Sequence, residues 1–128
     1  MKKINFLVAS ACVFALAGCV NTAPVLNVSE PITAHYSADQ VKVAILRAGI
    51  ERQWVMIPAD PGVINGHLKQ REHTADIRIT YSSTGYSINY VGSQNLEAGK
   101  GQIHRNYNRW IQNLDHGIQL KLASLQIK

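Results

Sequence analysis

Apolar and polar residues follow two different periods along the chain, which predict two helices separated by a run of short strands. Apolar residues recur every three or four positions after Val41, and again between Ile103 and Leu125, as in helices with one buried face. From 53 to 92, short apolar segments are separated by turn residues, which is typical of strands. The predicted order of elements is α-β-β-β-β-α.

The first predicted helix runs from Ala38 to Arg52. Ser37 precedes it and Gln40 follows three positions later, a spacing that lets each side chain bond the backbone of the other in a capping box. Its predicted buried face consists of Val41, Ala44, Ile45, Leu46, Ala48 and Ile50. The second helix is predicted from about Gln102 to near the end of the chain.

Four strands are predicted between the helices, at 53–58, 63–70, 74–82 and 86–92. A two-residue turn at Arg71-Glu72 places Gln70 opposite His73. The next hairpin places Tyr81 opposite Tyr86. Both hairpins put the same residues of the shared strand on one face, and a slip of one position would reverse them all. The predicted polar face of this sheet consists of Asn65, His67, Lys69, Asp76, Arg78, Thr80, Ser87 and Asn89.

One face of the predicted sheet is apolar and the other is polar, as in an antiparallel sheet that is covered on one side only. We therefore predict a single α+β domain over 37–128, a four-stranded antiparallel meander with both helices packed on its apolar face. Residues 19–36 contain Pro24 and Pro31 and lack a helical stripe, so they are predicted to be a tether. Within the tether, 25–28 is a candidate for a short edge strand.

The beginning of the chain is typical of a secretory signal peptide. Lys2 and Lys3 precede an apolar run at 4–15, which is shorter than the roughly 20 residues that a membrane-spanning helix needs. Leu16-Ala17-Gly18-Cys19 follows directly, and it resembles the lipobox of bacterial lipoproteins.

This resemblance implies that the signal peptide 1–18 is removed between Gly18 and Cys19. It further implies a diacylglycerol on the sulfur of Cys19 and a third acyl chain on its new amino group, with palmitate as a usable label. Val20 stands where an aspartate would resemble an inner-membrane retention signal. The expected location is therefore the outer membrane, with the lipid-anchored domain facing the periplasm.

Two segments of the predicted domain, INYVGSQNL at 88–96 and IHRNYNRWIQNL at 103–114, resemble a group of small proteobacterial lipoproteins of uncharacterised function. The similarity extends over most of the chain after Cys19 and includes Gln53-Trp54. This resemblance implies a lipid-anchored, compact α+β domain, but it brings no activity with it.

Charge and cysteine content exclude several kinds of chemistry. The chain has 13 basic and 8 acidic residues, but Lys2 and Lys3 belong to the predicted signal peptide, which leaves 11 basic residues. These form no long basic run, so nucleic acid is not an expected partner. The two cysteines, Cys12 and Cys19, both precede the predicted domain, which excludes a disulfide, cysteine catalysis and a thiolate zinc site within it.

The sequence contains no recognisable catalytic or metal-binding motif. His67, His73, His104 and His116 lack the i, i+4 pairing and the nearby carboxylates of zinc motifs. The serines lack the Gly-x-Ser-x-Gly and Ser-x-x-Lys patterns. We therefore predict a protein without catalytic residues, metal or cofactor, apart from the covalent lipid.

Two groups of residues are candidate partner surfaces. The first is Arg105, Arg109 and Trp110 on the second helix, because arginine and tryptophan are frequent interface anchors. Alternatively, Trp110 belongs to the edge of the core. The second group lies on the polar sheet face and consists of His67, Lys69, Asp76 and Arg78. His67 and Asp76 lie opposite each other there, either in a shallow polar site or as an ordinary pair on solvated sheet surface.

The expected function is that of a non-catalytic binding or structural module of the cell envelope. Its expected partner is an outer-membrane protein, peptidoglycan or lipopolysaccharide. The alternative is an envelope enzyme or small-ligand carrier whose site is assembled from dispersed residues. A deep apolar cleft with converging polar groups would favour that alternative, whereas a filled core and a broad exposed face would favour the binding module.

Overall fold

A computed structural model describes residues 21–127 of the chain. The predicted signal peptide 1–18 and the lipobox cysteine Cys19 lie outside these residues. The elements of the described chain are, in order, β1 (Thr22–Pro24), β2 (Val28–Pro31), α1 (Ala38–Glu51), β3 (Val55–Pro58), β4 (Val63–Gln70), β5 (His73–Ser82), β6 (Gly85–Gln94), β7 (Gln102–His104) and α2 (Arg105–Ser124).

The main sheet has one strand more than the sequence predicted. β3 to β6 form the expected antiparallel meander, and β2 adds a fifth strand beside β6, giving the order β2-β6-β5-β4-β3. Val28 lies opposite Ile88, and Pro31 ends the strand opposite Gly85. Because β2 is an edge strand, Pro31 ends it without interrupting a ladder inside the sheet. The fold is α+β, and the four-stranded prediction is corrected to five strands plus a separate two-stranded sheet of β1 and β7.

Part of the segment that was expected to be a tether, 19–36, is bound to the folded body. β1 pairs with β7 in an antiparallel ladder. Asn108 then holds the residues that follow β1, because its side-chain oxygen accepts from the Leu26 N–H at 3.0 Å and its amide donates to the Pro24 carbonyl at 2.9 Å. Within the described residues, the folded body therefore includes Thr22, well before the predicted domain boundary at 37.

The predicted hairpin registers are confirmed. Gln70 lies opposite His73 between β4 and β5, and Tyr81 lies opposite Tyr86 between β5 and β6. The sequence did not indicate a β-bulge in β6, where the register with β5 shifts and Val91 has no partner residue in β5. The side chain of Val91 is exposed as a result.

Both helices begin close to their predicted starts. α1 has the predicted capping box: the Ser37 hydroxyl accepts from the Gln40 N–H at 3.1 Å, and the Gln40 side-chain oxygen accepts from the Ser37 N–H at 2.9 Å. α2 begins at Arg105, a few residues later than predicted, because 102–104 pair with β1 instead.

The helices pack side by side on one face of the sheet and bury the core between the two layers. In 21–127, every fully buried side chain is apolar or aromatic. The predicted burial of Ile50 is wrong, since its side chain is 66% exposed, and Leu125 at the end of the second stripe is 42% exposed. Gly117 lies buried where the two helices meet, and a Cβ there would lie 3.6 Å from Cβ of Ala48, at ordinary van der Waals distance. Within the described chain, no helix is both long and apolar enough to cross a membrane.

Tyr107 occupies the centre of this core. Its ring is fully buried and meets Tyr90 edge-on, with ring centroids 5.3 Å apart. Among the described residues its hydroxyl has no hydrogen-bond partner. Burial raises the pKa of the Tyr107 hydroxyl, so the group stays neutral inside the core.

Candidate binding surface

The face of the five-stranded sheet that points away from the helices is open to solvent. It carries the polar side chains predicted from the sequence, and Val55 and Ile57 of β3 lie beside them, opposite His67 and Asn65. We call the following residues the sheet face: Val55, Ile57, Asn65, His67, Lys69, Asp76, Arg78, Thr80, Ser87 and Asn89.

His67 and Asp76 form the predicted cross-strand pair on the sheet face. Nδ1 of His67 lies 2.7 Å from Oδ1 of Asp76, and the two side chains are 46% and 49% exposed. A pair this open to water contributes about 0.2–1 kcal/mol. The pair therefore orients two polar groups on a solvated surface and does not form a buried reactive site.

The polar side chains continue along the strands on both sides of this pair. Lys69 and Arg78, the other two predicted residues of the group, are exposed next to it. Farther along, the hydroxyl oxygens of Thr80 and Ser87 are 2.5 Å apart, and the Asn89 amide donates to Ser87 at 3.0 Å. The sheet face thus presents a row of donors and acceptors together with both signs of charge.

Val55 and Ile57 place exposed apolar side chains at the edge of the sheet face, which the sequence did not predict. Their side chains are 57% and 58% exposed, and β3 is an edge strand of the sheet. Single exposed aliphatic residues are common, but two neighbours on an open edge strand form a site that a partner can cover. The local sequence gave no signal, because the neighbouring Trp54 and Met56 are apolar as well.

Arg105, Arg109 and Trp110 do not form one surface. The two arginines are exposed on the outer side of α2, whereas Trp110 is half-buried and packs against the core. Trp110 lines a small cleft of about 170 Å³ together with Trp54 and Leu68. Since successive helical residues are about 100° apart, Trp110 points away from the arginines. This environment favours a place at the edge of the core for Trp110.

A polar cluster that the sequence did not indicate joins β2 to α2 and β6. The Tyr86 hydroxyl donates to Oδ1 of Asp115 at 2.6 Å. The Gln119 amide donates to Glu30 at 2.5 Å and to Asp115 at 3.3 Å. We call these four residues the carboxyl clamp, because they connect an edge strand to a helix that lies far away in the sequence.

Asp115 disfavours the negative charge of Glu30 in the carboxyl clamp. A hydrogen bond with Asp115, then burial and then repulsion from the Asp115 carboxylate, raise the pKa of Glu30 above its usual value of 4.5. Burial, followed by the hydrogen bond to Asp115, raises the pKa of Tyr86 strongly, so its hydroxyl remains a donor. The clamp is therefore strongest when Glu30 carries a proton.

Glu30→Gln should change how stability depends on pH. The native state binds the Glu30 proton more tightly than the unfolded state, so this group stabilises the fold most below pH 4.5 and loses that contribution as the pH rises through its raised pKa. Glutamine stays neutral and keeps an oxygen that accepts from Gln119. Urea unfolding at several pH values, followed by Trp54 fluorescence, should show the variant gaining stability relative to the natural protein between pH 4 and 7.

An Asp115→Asn background provides the control for this prediction. Without the neighbouring carboxylate, Glu30→Gln should produce a smaller pH-dependent gain, because burial alone then raises the pKa of Glu30. Parallel stability curves of Glu30→Gln and the natural protein from pH 4 to 7 would contradict the assignment of the pKa shift to the clamp.

Three of the five histidines of the described chain have structural partners. His67 is paired with Asp76, Nδ1 of His73 lies 2.7 Å from the Asn95 carbonyl oxygen, and His104 caps the N-terminus of α2. Across 21–127, no three His, Cys, Asp or Glu side chains come together as metal ligands would.

An open groove of about 500 Å³ extends from Thr80 and Ser87 of the sheet face to Glu30 and Tyr86 of the carboxyl clamp. A second groove, of about 250 Å³, lies between the helices and is lined by apolar side chains that include Val43 and Leu125.

Comparison with known proteins does not assign a family to the chain. A scan against protein-family models and a search of curated proteins both find no match. The function is therefore argued from the surfaces described above.

Proposed function

We propose that the protein is a lipid-anchored lipoprotein of the outer membrane that faces the periplasm and binds another envelope component without catalysing a reaction. The lipobox resemblance at 16–19 supports the anchor. The observation that carries the binding role is the sheet face, which stays open and exposes Val55 and Ile57 beside the His67–Asp76 pair.

The composition of the sheet face favours a protein as the partner, over peptidoglycan and lipopolysaccharide. Exposed aliphatic side chains contribute most to binding free energy when another apolar surface covers them. The neighbouring polar residues can then form hydrogen bonds at the rim of the interface. The continuous apolar core supports a binding module more than an envelope enzyme or small-ligand carrier, since those need a deep cleft with converging polar groups.

The test is site-directed photo-crosslinking in intact cells with a photoreactive residue at Lys69. We expect a discrete crosslinked partner, and we expect Val55→Glu/Ile57→Glu to reduce its yield roughly tenfold or more, because two interface anchors are lost. Both side chains are more than half exposed, so the substitutions leave the core intact.

A control is Ile127→Glu, beyond the end of α2, which changes another apolar side chain that is 81% exposed. This control should leave the crosslink at Lys69 unchanged. The proposal is contradicted if the crosslink survives the sheet-face substitutions or is lost equally in the control.

A further inference from the structure

The helix layer has an outer face that no other element of the described chain covers. On α1, the residues Val43, Arg47 and Ile50 lie at positions i, i+4 and i+7, and all three are exposed. α2 has a corresponding exposed ridge of Arg105, Arg109, Gln112, His116 and Leu120. Both ridges lie opposite the buried stripes of their helices, so they point away from the sheet. We call these eight residues the helix face.

Basic residues are concentrated on the helix layer. The two helices and the cap residue Arg52 carry six basic and three acidic side chains, whereas the rest of the described chain carries four basic and five acidic ones. Of the three acids of the helices, Asp115 belongs to the carboxyl clamp and Glu51 pairs with Lys121 at 2.5 Å, whereas Asp39 is exposed one turn before Val43 on the α1 ridge. The helix face therefore has three arginines, with the single carboxylate of Asp39 at its end.

The helix face also exposes apolar side chains between its arginines. Val43, Ile50 and Leu120 are 43%, 66% and 55% exposed. The groove of about 250 Å³ between the helices adds Leu125 to this apolar area, and Asp39, Arg47 and Lys121 are the charged residues along its lining. A surface that combines arginines with exposed aliphatic groups suits the boundary between anionic headgroups and acyl chains.

The path of the chain toward Cys19 brings the helix face close to the lipid anchor. The Arg105 N–H donates to the Asn21 carbonyl at 3.2 Å, and Thr22 lies opposite His104. Cys19 precedes Thr22 by three residues, which span at most about 11 Å. A lipid on Cys19 would therefore hold the first turn of α2 near the membrane surface, without the long tether that the sequence indicated.

We propose that the helix face lies on the anionic phospholipid surface of the membrane that holds the anchor, so that the sheet face points away from the bilayer. This inference rests on the proposed lipid anchor. The anchor makes docking intramolecular, so a few arginines and aliphatic contacts suffice to favour one orientation. Each arginine near an anionic surface favours the docked state roughly fivefold.

The test uses the acylated protein reconstituted in vesicles that contain either anionic or only zwitterionic phospholipid. A fluorescent label is attached to a single introduced cysteine, at Gln112→Cys on the helix face or at Asn65→Cys on the sheet face. Vesicle lipids carry a nitroxide quencher on the headgroup. We expect strong quenching of the label at 112 in anionic vesicles, weaker quenching in zwitterionic vesicles, and little quenching at 65 in either.

Arg105→Gln/Arg109→Gln should lower the ratio of docked to undocked protein roughly 25-fold, because two of these favourable charges are lost. Lys69→Gln/Arg78→Gln removes the same charge from the sheet face and should leave quenching at 112 unchanged. Equal quenching of both labels, or an equal loss in the two double variants, would overturn the proposed orientation.

The intact mass of the same samples separates this inference from the proposed function. If the protein is acylated but the label at 65 is quenched, the proposed orientation is wrong and the anchor stands. A protein without acyl chains would show that the anchor itself is wrong, and the orientation would fall with it.

Discussion

Cys19→Ser is expected to abolish acylation of the protein completely. The thioether to diacylglycerol requires a thiol, and serine offers only a hydroxyl at this position. The lipobox resemblance implies that removal of 1–18 depends on the same cysteine, so the variant should accumulate as a precursor. Labelled palmitate, followed by electrophoresis and autoradiography, should give a strong band for the natural protein and none for the variant.

The other cysteine of the chain provides a matched control. Cys12 lies inside the apolar run of the predicted signal peptide. Cys12→Ser should therefore be labelled and processed like the natural protein. Palmitate label, and not membrane fractionation, is the appropriate measurement, since a precursor that keeps its apolar segment can also sediment with membranes. Normal palmitate labelling of Cys19→Ser would contradict the proposed lipid anchor on Cys19.

Gly66→Val is expected to lower the stability of the sheet strongly. Gly66 lies on the buried side of β4, and a Cβ there would lie 2.8 Å from Cγ1 of Ile77 and 3.1 Å from Sδ of Met56. Valine adds two further methyl groups to this occupied space. Overpacking of this kind costs about 3 kcal/mol, which exceeds the roughly 1 kcal/mol that valine gains over glycine in a strand.

The measurement is urea unfolding of the purified lipoprotein in mild detergent, with the buried Trp54 as the fluorescent probe. A loss of this size should lower the unfolding midpoint by about 2 M urea in a domain of this length. Gly92→Val is the matched control in the same sheet, because a Cβ at Gly92 meets no atom within 4 Å. Equal midpoints for the two variants would contradict the packing described around Gly66.

The central hairpins could be predicted because the residues that determine their register lie close together in the sequence. The turn at Arg71-Glu72 and the alternation of apolar residues on both sides of it fix the register in which Gln70 lies opposite His73. The capping box at Ser37 is equally local, since its partner is three residues away. These elements need no knowledge of the rest of the fold.

β1 could not be predicted, and the candidate edge strand at 25–28 begins three residues before β2 at Val28–Pro31, because distant partners define both strands. Thr22 pairs with His104, and Val28 pairs with Ile88. Both strands are only three or four residues long and end at prolines, which resembles a tether when the sequence is considered alone. The side chain of Asn108 holds the segment between them, and the residues around Asn108 in the sequence do not indicate this role.

The candidate surfaces were only partly predictable for a related reason. Alternation in the hairpins identified the polar part of the sheet face. It gave no information on Val55 and Ile57, because every residue from 54 to 57 is apolar. Arg105, Arg109 and Trp110 were grouped by closeness in sequence, whereas the helix turns Trp110 toward the core and leaves the arginines on the outside.

Mass spectrometry of the intact protein, purified from native membranes, tests the lipid anchor on which the proposed location and orientation depend. The anchored protein should have Cys19 as its first residue and carry the added mass of a diacylglycerol and one amide-linked fatty acid. A mass that corresponds to the chain from Met1 to Lys128 with no fatty acid would contradict the anchor.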